Sequence, residues 1–206
     1  PLHNPSSNFR LKSGIAPLNK MLMKGVTVAL GIDEAGINDD NDILQEMRLA
    51  QKIHRIPGVA NLFPTSHEIL RLATENGAKA TFFDKEIGTL EPGKRADMVL
   101  VDLQRIEEPY LDSETNIVDA LVYRGKSMDV DTVIVDGRVL LRNKEFVHLD
   151  KNDVIRRLKD SLALPLQPHE LRRAELGRRL VPHARRFLGK RALEGVTPHY
   201  QYNESL

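Results

Sequence analysis

The 206-residue sequence contains no cysteine. That absence excludes a disulfide framework and any thiolate metal site. Long apolar runs are missing too, and none approaches the roughly 18 residues needed to span a bilayer. No segment repeats, and neither charge sign dominates. Lys and Arg number 30 against 29 Asp and Glu, a formal charge of +1, so bulk electrostatics select no partner class. The N-terminus, PLHNPSSN, has neither an initiator Met nor the basic-then-apolar pattern of a signal peptide, and reads as the middle of a longer protein. What is there, 41% apolar and 29% charged residues, is ordinary for one globular domain or two small ones.

Along the chain, helical spacing alternates with buried strand. Residues 1–15 are polar and turn-rich and predict a loop. Pro17 suits the first turn of a helix carrying Leu18, Met21 and Leu22, which ends near Gly25. VTVALGI, Val26 to Ile32, is apolar at nearly every position, as in a strand covered on both faces of a parallel sheet. Ile43, Met47, Ala50 and Ile53 recur at helical spacing. Thr65 and Glu68 form a capping box for a helix with Ile69, Leu72, Ala73 and Ala80 on its apolar side. Helix, buried strand, helix is the alternation of an α/β fold.

The character changes at Ile87. A Pro92-Gly93 turn precedes a strand in DMVLVDL, Ile117 to Tyr123 reads as a second strand, and Asp136-Gly137 joins two apolar runs as a hairpin. From Lys151 the pattern is helical again, with Pro165 and Pro168 separating two helices. The last helix is rich in Arg and Lys but has one apolar side, with Leu176, Leu180, Ala184, Phe187 and Leu188. A packed helix with a solvated basic face is expected, and binding to nucleic acid or anionic lipid is the alternative.

The stretch VTVALGIDEAGINDDND raises a question of charge, because an apolar strand runs straight into five carboxylates. A carboxylate at the end of a buried strand is costly unless a metal, a basic partner or solvent meets it. Asp39, Asp40 and Asp42 precede a helix, where negative side chains are stabilising, and Asn38, Asp39 or Asp40 could cap it. The ligand spacing of a calcium loop is absent.

Three quoted segments resemble the amidohydrolase superfamily. HNPSSNFRLKSGIAPLNKMLMKGVTVALGIDEAGINDDNDILQEMRLA is similar to the family's "HNP-x-SN-x-x-L-x-x-G-x-AP … LGTD … EMR" pattern. IGTLEPGKRADMVLVDL resembles its "GK-x-ADLVL-x-D" segment, and VDTVIVDGRVLLRN its late hairpin. The branch so resembled holds the triazine hydrolases and the S-adenosylhomocysteine, guanine and cytosine deaminases, and the likeness covers about residues 3–147. It implies an α/β fold: the C-terminal part of a (β/α)8 TIM-like barrel, part of a small β-sandwich and a helical tail. The expected divisions are 1–84, 85–148 and 149–206.

By this resemblance Asp33, at the family's "GTD" position, is a metal ligand and takes a proton from the attacking water. One divalent ion is implied, Zn²⁺ first and Fe²⁺ second. A cation there would offset the strand-end charge and lower the water's pKa. Glu34 follows the ligand position, where it either touches substrate or is a solvated loop carboxylate, and residues 34–38 form the loop expected to meet substrate. His3 either lines the substrate pocket or is a structural or solvated histidine. Asp97 is expected to bond within its turn. Ile32 stands where the family has Thr, which removes a hydroxyl.

The family's His-x-His pair occurs nowhere in the chain. His54, His67, His148, His169, His183 and His199 show no ligand spacing, so the further ligands are expected outside this chain. A TIM barrel needs about 250 residues, and about one complete strand of eight is present here. The expectation is therefore the C-terminal part of a cytoplasmic, homo-oligomeric, metal-dependent hydrolase of non-peptide C–N or C–Cl bonds, best guessed as a heterocycle deaminase. Its partners would be a small heterocyclic substrate and the missing N-terminal part, with neither nucleic acid nor membrane. The competing readings are a silent pairing module without the histidine ligands and, least favoured, a basic-tailed nucleic-acid-binding protein.

Overall fold

The computed structural model describes residues 1–34, 37, 40–55 and 63–192. They form two compact units, one ending at His148 and the other beginning at Leu149. In the first unit the order is β1 (Leu2–His3), α1 (Pro5–Leu11), α2 (Leu18–Met23), β2 (Ala29–Leu30), α3 (Ile43–His54), α4 (Ser66–Ala73) and α5 (Glu75–Ala80). It continues through β3 (Met98–Val101), α6 (Leu103–Glu107), α7 (Ile117–Arg124), β4 (Val130–Val135), β5 (Arg138–Arg142) and β6 (Glu145–Phe146).

β1 and β2 pair in parallel, Leu2 beside Ala29 and His3 beside Leu30. The core gathers around this pair: Val28 and Leu30 pack with Leu18 of α2, Leu44, Met47 and Ala50 of α3, Ile69 and Leu72 of α4, and Val122 of α7. Burying a side chain of this size contributes roughly 1.5–3 kcal/mol, so a cluster of nine sets the relative placement of these elements. Within VTVALGI only Val28, Ala29 and Leu30 are buried, and the carbonyl of Val28 accepts from Asn76 Nδ2 at 2.8 Å.

Of residues 1–15, expected to form a loop, 12–15 do so, whereas 2–11 are mostly strand and helix. Pro5 occupies the first turn of α1, where its fixed φ suits the helix and its missing N–H costs nothing. Contacts from outside the segment hold it: Gly31 N–H donates to the carbonyl of His3 at 3.0 Å, and Ser6 N–H donates to Glu46 Oε2 at 3.1 Å.

The expected strand over Ile117 to Tyr123 is helix α7. Asn116 caps it, accepting from Val118 N–H at 2.8 Å, and Ala120 and Val122 are buried. Packing against the core thus overrides the strand preference of its β-branched residues. The cap of α3 is Asp42, whose Oδ1 accepts from Leu44 and Gln45 N–H, while its Oδ2 accepts from Ser127 N–H at 2.9 Å. Of the three caps expected, Asp40 does not hold the position, and Asn38 and Asp39 lie outside the described residues.

Strands β3 to β6 form one antiparallel sheet in sequence order. Asp136 and Gly137 both take positive φ, +51° and +75°, which is the turn that matches the twist of a two-residue hairpin. Asn143 and Lys144 do the same between β5 and β6. Asp97 has a structural role, but its partner is the later hairpin: Oδ1 accepts from Asp136 N–H at 2.7 Å. The Thr65–Glu68 capping box is present on α4.

The second unit contains α8 (Lys151–Leu162) and α9 (Pro168–Ala192). Asp150 caps α8 through Asn152 and Asp153 N–H. The apolar side of α9, expected to be packed, is exposed at Leu176, Leu180, Phe187 and Leu188. Among the described residues no helix is long and apolar enough to cross a membrane.

Candidate active site at the end of strand β2

Asp33 lies three residues beyond Leu30, the last residue of β2, and is exposed. Its φ is +70°, a left-handed backbone that costs a non-glycine residue about 1–2 kcal/mol. Strain of this kind persists where surrounding structure imposes it, and it gathers at functional positions. Ser7 Oγ donates to Asp33 Oδ2 at 2.6 Å, a short, charge-assisted bond. The serine stands on α1, which Ser6 N–H ties to Glu46, a carboxylate with no solvent exposure. Glu46 of α3 thus bonds to α1, and α1 in turn bonds to Asp33 through Ser7.

Between β2 and Asp33 lies Gly31. A Cβ there would come within 2.5 Å of Asn4 Oδ1, so any larger residue must displace the Asn4 side chain or the start of α1. Asn4 Oδ1 is itself buried without a hydrogen-bond partner.

His3 is neither solvated nor alone. It is 3% exposed, and its Nε2 lies 2.9 Å from Nε2 of His54, which is 2% exposed. Burial pushes His3 down to about 4, and burial together with the neighbouring His3 pushes His54 down to about 4. Both rings are thus neutral at pH 7, and the contact requires one to donate and the other to accept. His3 Nδ1 is buried with no partner. His54 is further held by Asn19, whose Nδ2 donates to its backbone carbonyl at 2.6 Å.

Glu34 is exposed, and its carbonyl accepts from Ile37 N–H at 2.8 Å. The rest of the loop expected to meet substrate, apart from Ile37, lies outside the described residues, as does His199. Register places His3 beside Leu30, on the strand adjoining the one that carries Asp33. Neither the bond of Ser7 to Asp33 nor the pairing of His54 with His3 is among the expectations from sequence. Ser7 is the serine of the "SN" in the quoted HNPSSN motif, so a signal for it existed; His54 had none, because its partner is 51 residues away.

Could the chain hold the metal its resemblance implies? Asp33 offers one carboxylate oxygen, Oδ1, beyond the one that Ser7 engages, and hard oxygen suits a divalent cation. Among the described residues no group of three or more His, Asp or Glu side chains could hold an ion. Asp33 fits as a single ligand, and a complete site needs donors beyond those gathered here.

The sequence pattern of the Amidohydrolase family fits residues 2–140, and the chain belongs to that family. A 5-methylthioadenosine/S-adenosylhomocysteine deaminase from Thermoanaerobacter pseudethanolicus is 40% identical over 155 residues, covering 75% of this chain and 35% of the relative. An adenosine deaminase from Xanthomonas campestris, solved with bound zinc, superposes with a TM-score of 0.68 at 29% identity, over 77% of this chain and 36% of that one. An atrazine chlorohydrolase from Arthrobacter aurescens, complexed with zinc, gives a TM-score of 0.69 at 27% identity, over 77% and 35%. The chain thus spans about 35% of the length of the curated relative it matches.

Proposed function

We propose that this chain is the C-terminal part of a metal-dependent amidohydrolase that deaminates a nitrogen heterocycle, with an amino-purine nucleoside as the first substrate class to test. The single observation that carries the reading is Asp33: an exposed carboxylate at a strand end, in a strained backbone, with one oxygen engaged by a buried serine and the other left open. The names of the deaminase relative and of the zinc-bound adenosine deaminase support the substrate class. The chlorohydrolase neighbour keeps a triazine C–Cl bond as the second test.

A divalent cation, zinc by likeness to these neighbours and otherwise iron, would supply Lewis acidity and a water acidic enough to lose a proton at neutral pH. Hydrolytic deamination adds water to a ring carbon and releases ammonia, so one proton must leave the water and one must reach the departing nitrogen. Asp33 is this chain's acceptor for the first. Glu34 is proposed to border the substrate, while His3, buried against His54, takes the structural alternative. The donor for the leaving nitrogen and the remaining metal ligands belong to an N-terminal part.

In this reading residues 1–84 complete a (β/α)8 barrel, 85–148 complete a β-sandwich and 149–206 form a helical extension. A homo-oligomeric state and a cytoplasmic setting belong to the same proposal. The 206-residue chain alone is expected to be inactive, because its described residues gather no three-ligand cluster.

Asp33→Asn in the full-length protein tests this. Turnover of amino-purine nucleosides should fall by about 10²–10⁴-fold, the worth of a positioned proton acceptor, and more if the metal is lost as well. Near-normal turnover would sink the assignment.

A further inference from the structure

Ser7 is 2% exposed, so its hydroxyl has no water to bond and must find a partner in the protein. The partner is Asp33 Oδ2, 2.6 Å away, although Asp33 itself faces solvent. A buried donor thus reaches an exposed acceptor, a waste of a short charge-assisted bond if Asp33 were an ordinary loop carboxylate. The donor is held from behind by two further bonds. Ser6 N–H donates to the fully buried Glu46, and Asn8 N–H donates to the Asn4 carbonyl at 3.0 Å. The acceptor is held by its own backbone, at φ +70°.

We propose that Ser7 is a positioning residue for Asp33: its buried hydroxyl pins Oδ2, so that Oδ1 is the oxygen offered to a divalent cation. The inference rests on the reading of Asp33 as a metal ligand. A carboxylate with both oxygens free rotates about its last side-chain torsion and can offer either oxygen or both. Occupying one of them leaves a monodentate ligand of defined direction. Hydrogen-bonding partners behind a ligand commonly matter about 10–100-fold in metal affinity or activity. Ser7 would do this from another element, α1.

The test is made in the full-length protein with Ser7→Ala, Ser7→Thr and Asp33→Asn, reading zinc affinity by chelator competition alongside kcat and KM. Ser7→Ala should weaken zinc binding by about tenfold or more and lower kcat with KM little changed. Ser7→Thr keeps the hydroxyl and should restore most of both. A cobalt-substituted Ser7→Ala protein should also show an altered visible spectrum, which a merely structural serine would not produce. If the buried alanine impairs folding, Ser7→Cys, slightly larger than serine, weakens the donor, and the same loss of kcat is expected. Wild-type zinc affinity and kcat in a folded Ser7→Ala or Ser7→Cys protein would overturn the positioning role, with the Asp33 reading intact if Asp33→Asn still loses both. Zinc binding and turnover retained in Asp33→Asn would overturn the underlying reading instead.

Discussion

The imidazoles of His3 and His54 meet Nε2 to Nε2 at 2.9 Å, edge to face with ring centres 4.9 Å apart, in an interior closed to water. One comes from strand β1 and the other from the last turn of α3, so the pair fastens a strand end to a helix end. Its stability depends on both rings staying neutral.

That dependence has a sign. Each folded-state pKa is lowered from 6.5 to about 4, mainly by burial. Between about pH 4 and 6.5 the unfolded chain therefore binds more protons than the folded one, and stability rises with pH. The contribution is complete above pH 6.5 and is lost as pH falls toward 4, at a slope of at most about 1.4 kcal/mol per pH unit for each ring. The thermal midpoint should drop steeply from pH 7 to pH 5, and a His3→Leu/His54→Leu double variant should show a shallower drop. Equal slopes in the two proteins would reject the idea.

Glu46 supplies the next prediction. Its carboxylate has no solvent exposure, and Oε2 accepts from Ser6 N–H at 3.1 Å. Replacing it by Ala leaves that donor without its partner and opens space behind α1. A loss of roughly 2–4 kcal/mol is expected, combining a charge-assisted bond with a small cavity. Glu46→Gln retains a carbonyl acceptor and should lose less. Denaturant midpoints of the two variants separate these outcomes, and similar midpoints would argue against the bond.

Arg48 sits two residues on and points to α7. Its Nε donates to the Tyr123 carbonyl at 2.9 Å, and its Nη2 donates to the Gly125 carbonyl. A planar guanidinium can satisfy two carbonyls at a helix end at once, whereas an ammonium is a single point of charge. Arg48→Met should destabilise by about 1–3 kcal/mol, and Arg48→Lys should recover less than half of that. Full recovery by lysine would mean that charge alone matters, not the two-pronged bond. Glu46, Met47 and Arg48, the EMR of the family pattern, thus have separate duties: one holds α1, one fills the core and one holds α7.

Much of the local structure was legible because its causes are local. The Thr65–Glu68 box, the Asp136-Gly137 turn and the glycine end of α2 are each decided within a few residues. The strand and helix within residues 2–11 and helix α7 are not legible, for the opposite reason. The polar start becomes strand and helix only because Gly31, Glu46 and Asp33 bond to it from 26 to 40 residues away. The β-branched run Ile117-Val118 becomes helical because Asn116 caps it and the core takes Val122. At the site, the metal role proposed for Asp33 rests on resemblance and not on periodicity, and the His3–His54 pair has no trace in sequence spacing.

Gly31 connects the fold most directly with the chemistry. A Cβ there would meet Asn4 Oδ1 at 2.5 Å, while Asn4 precedes α1 and Gly31 stands two residues before Asp33. Gly31→Ala must therefore push the start of α1 away from the strand end, or force Asn4 into another rotamer. Overpacking of this kind costs typically about 1–3 kcal/mol. The functional cost should exceed the stability cost, since the displaced helix carries Ser7 and the displaced strand end carries Asp33. Activity and zinc affinity should both fall by about tenfold or more in a protein that still melts cooperatively, as expected when a ligand's supporting shell moves. Adding Asn4→Ala removes the obstructing oxygen and should restore part of both. A Gly31→Ala protein with unchanged zinc affinity would show that α1 and the strand end move independently.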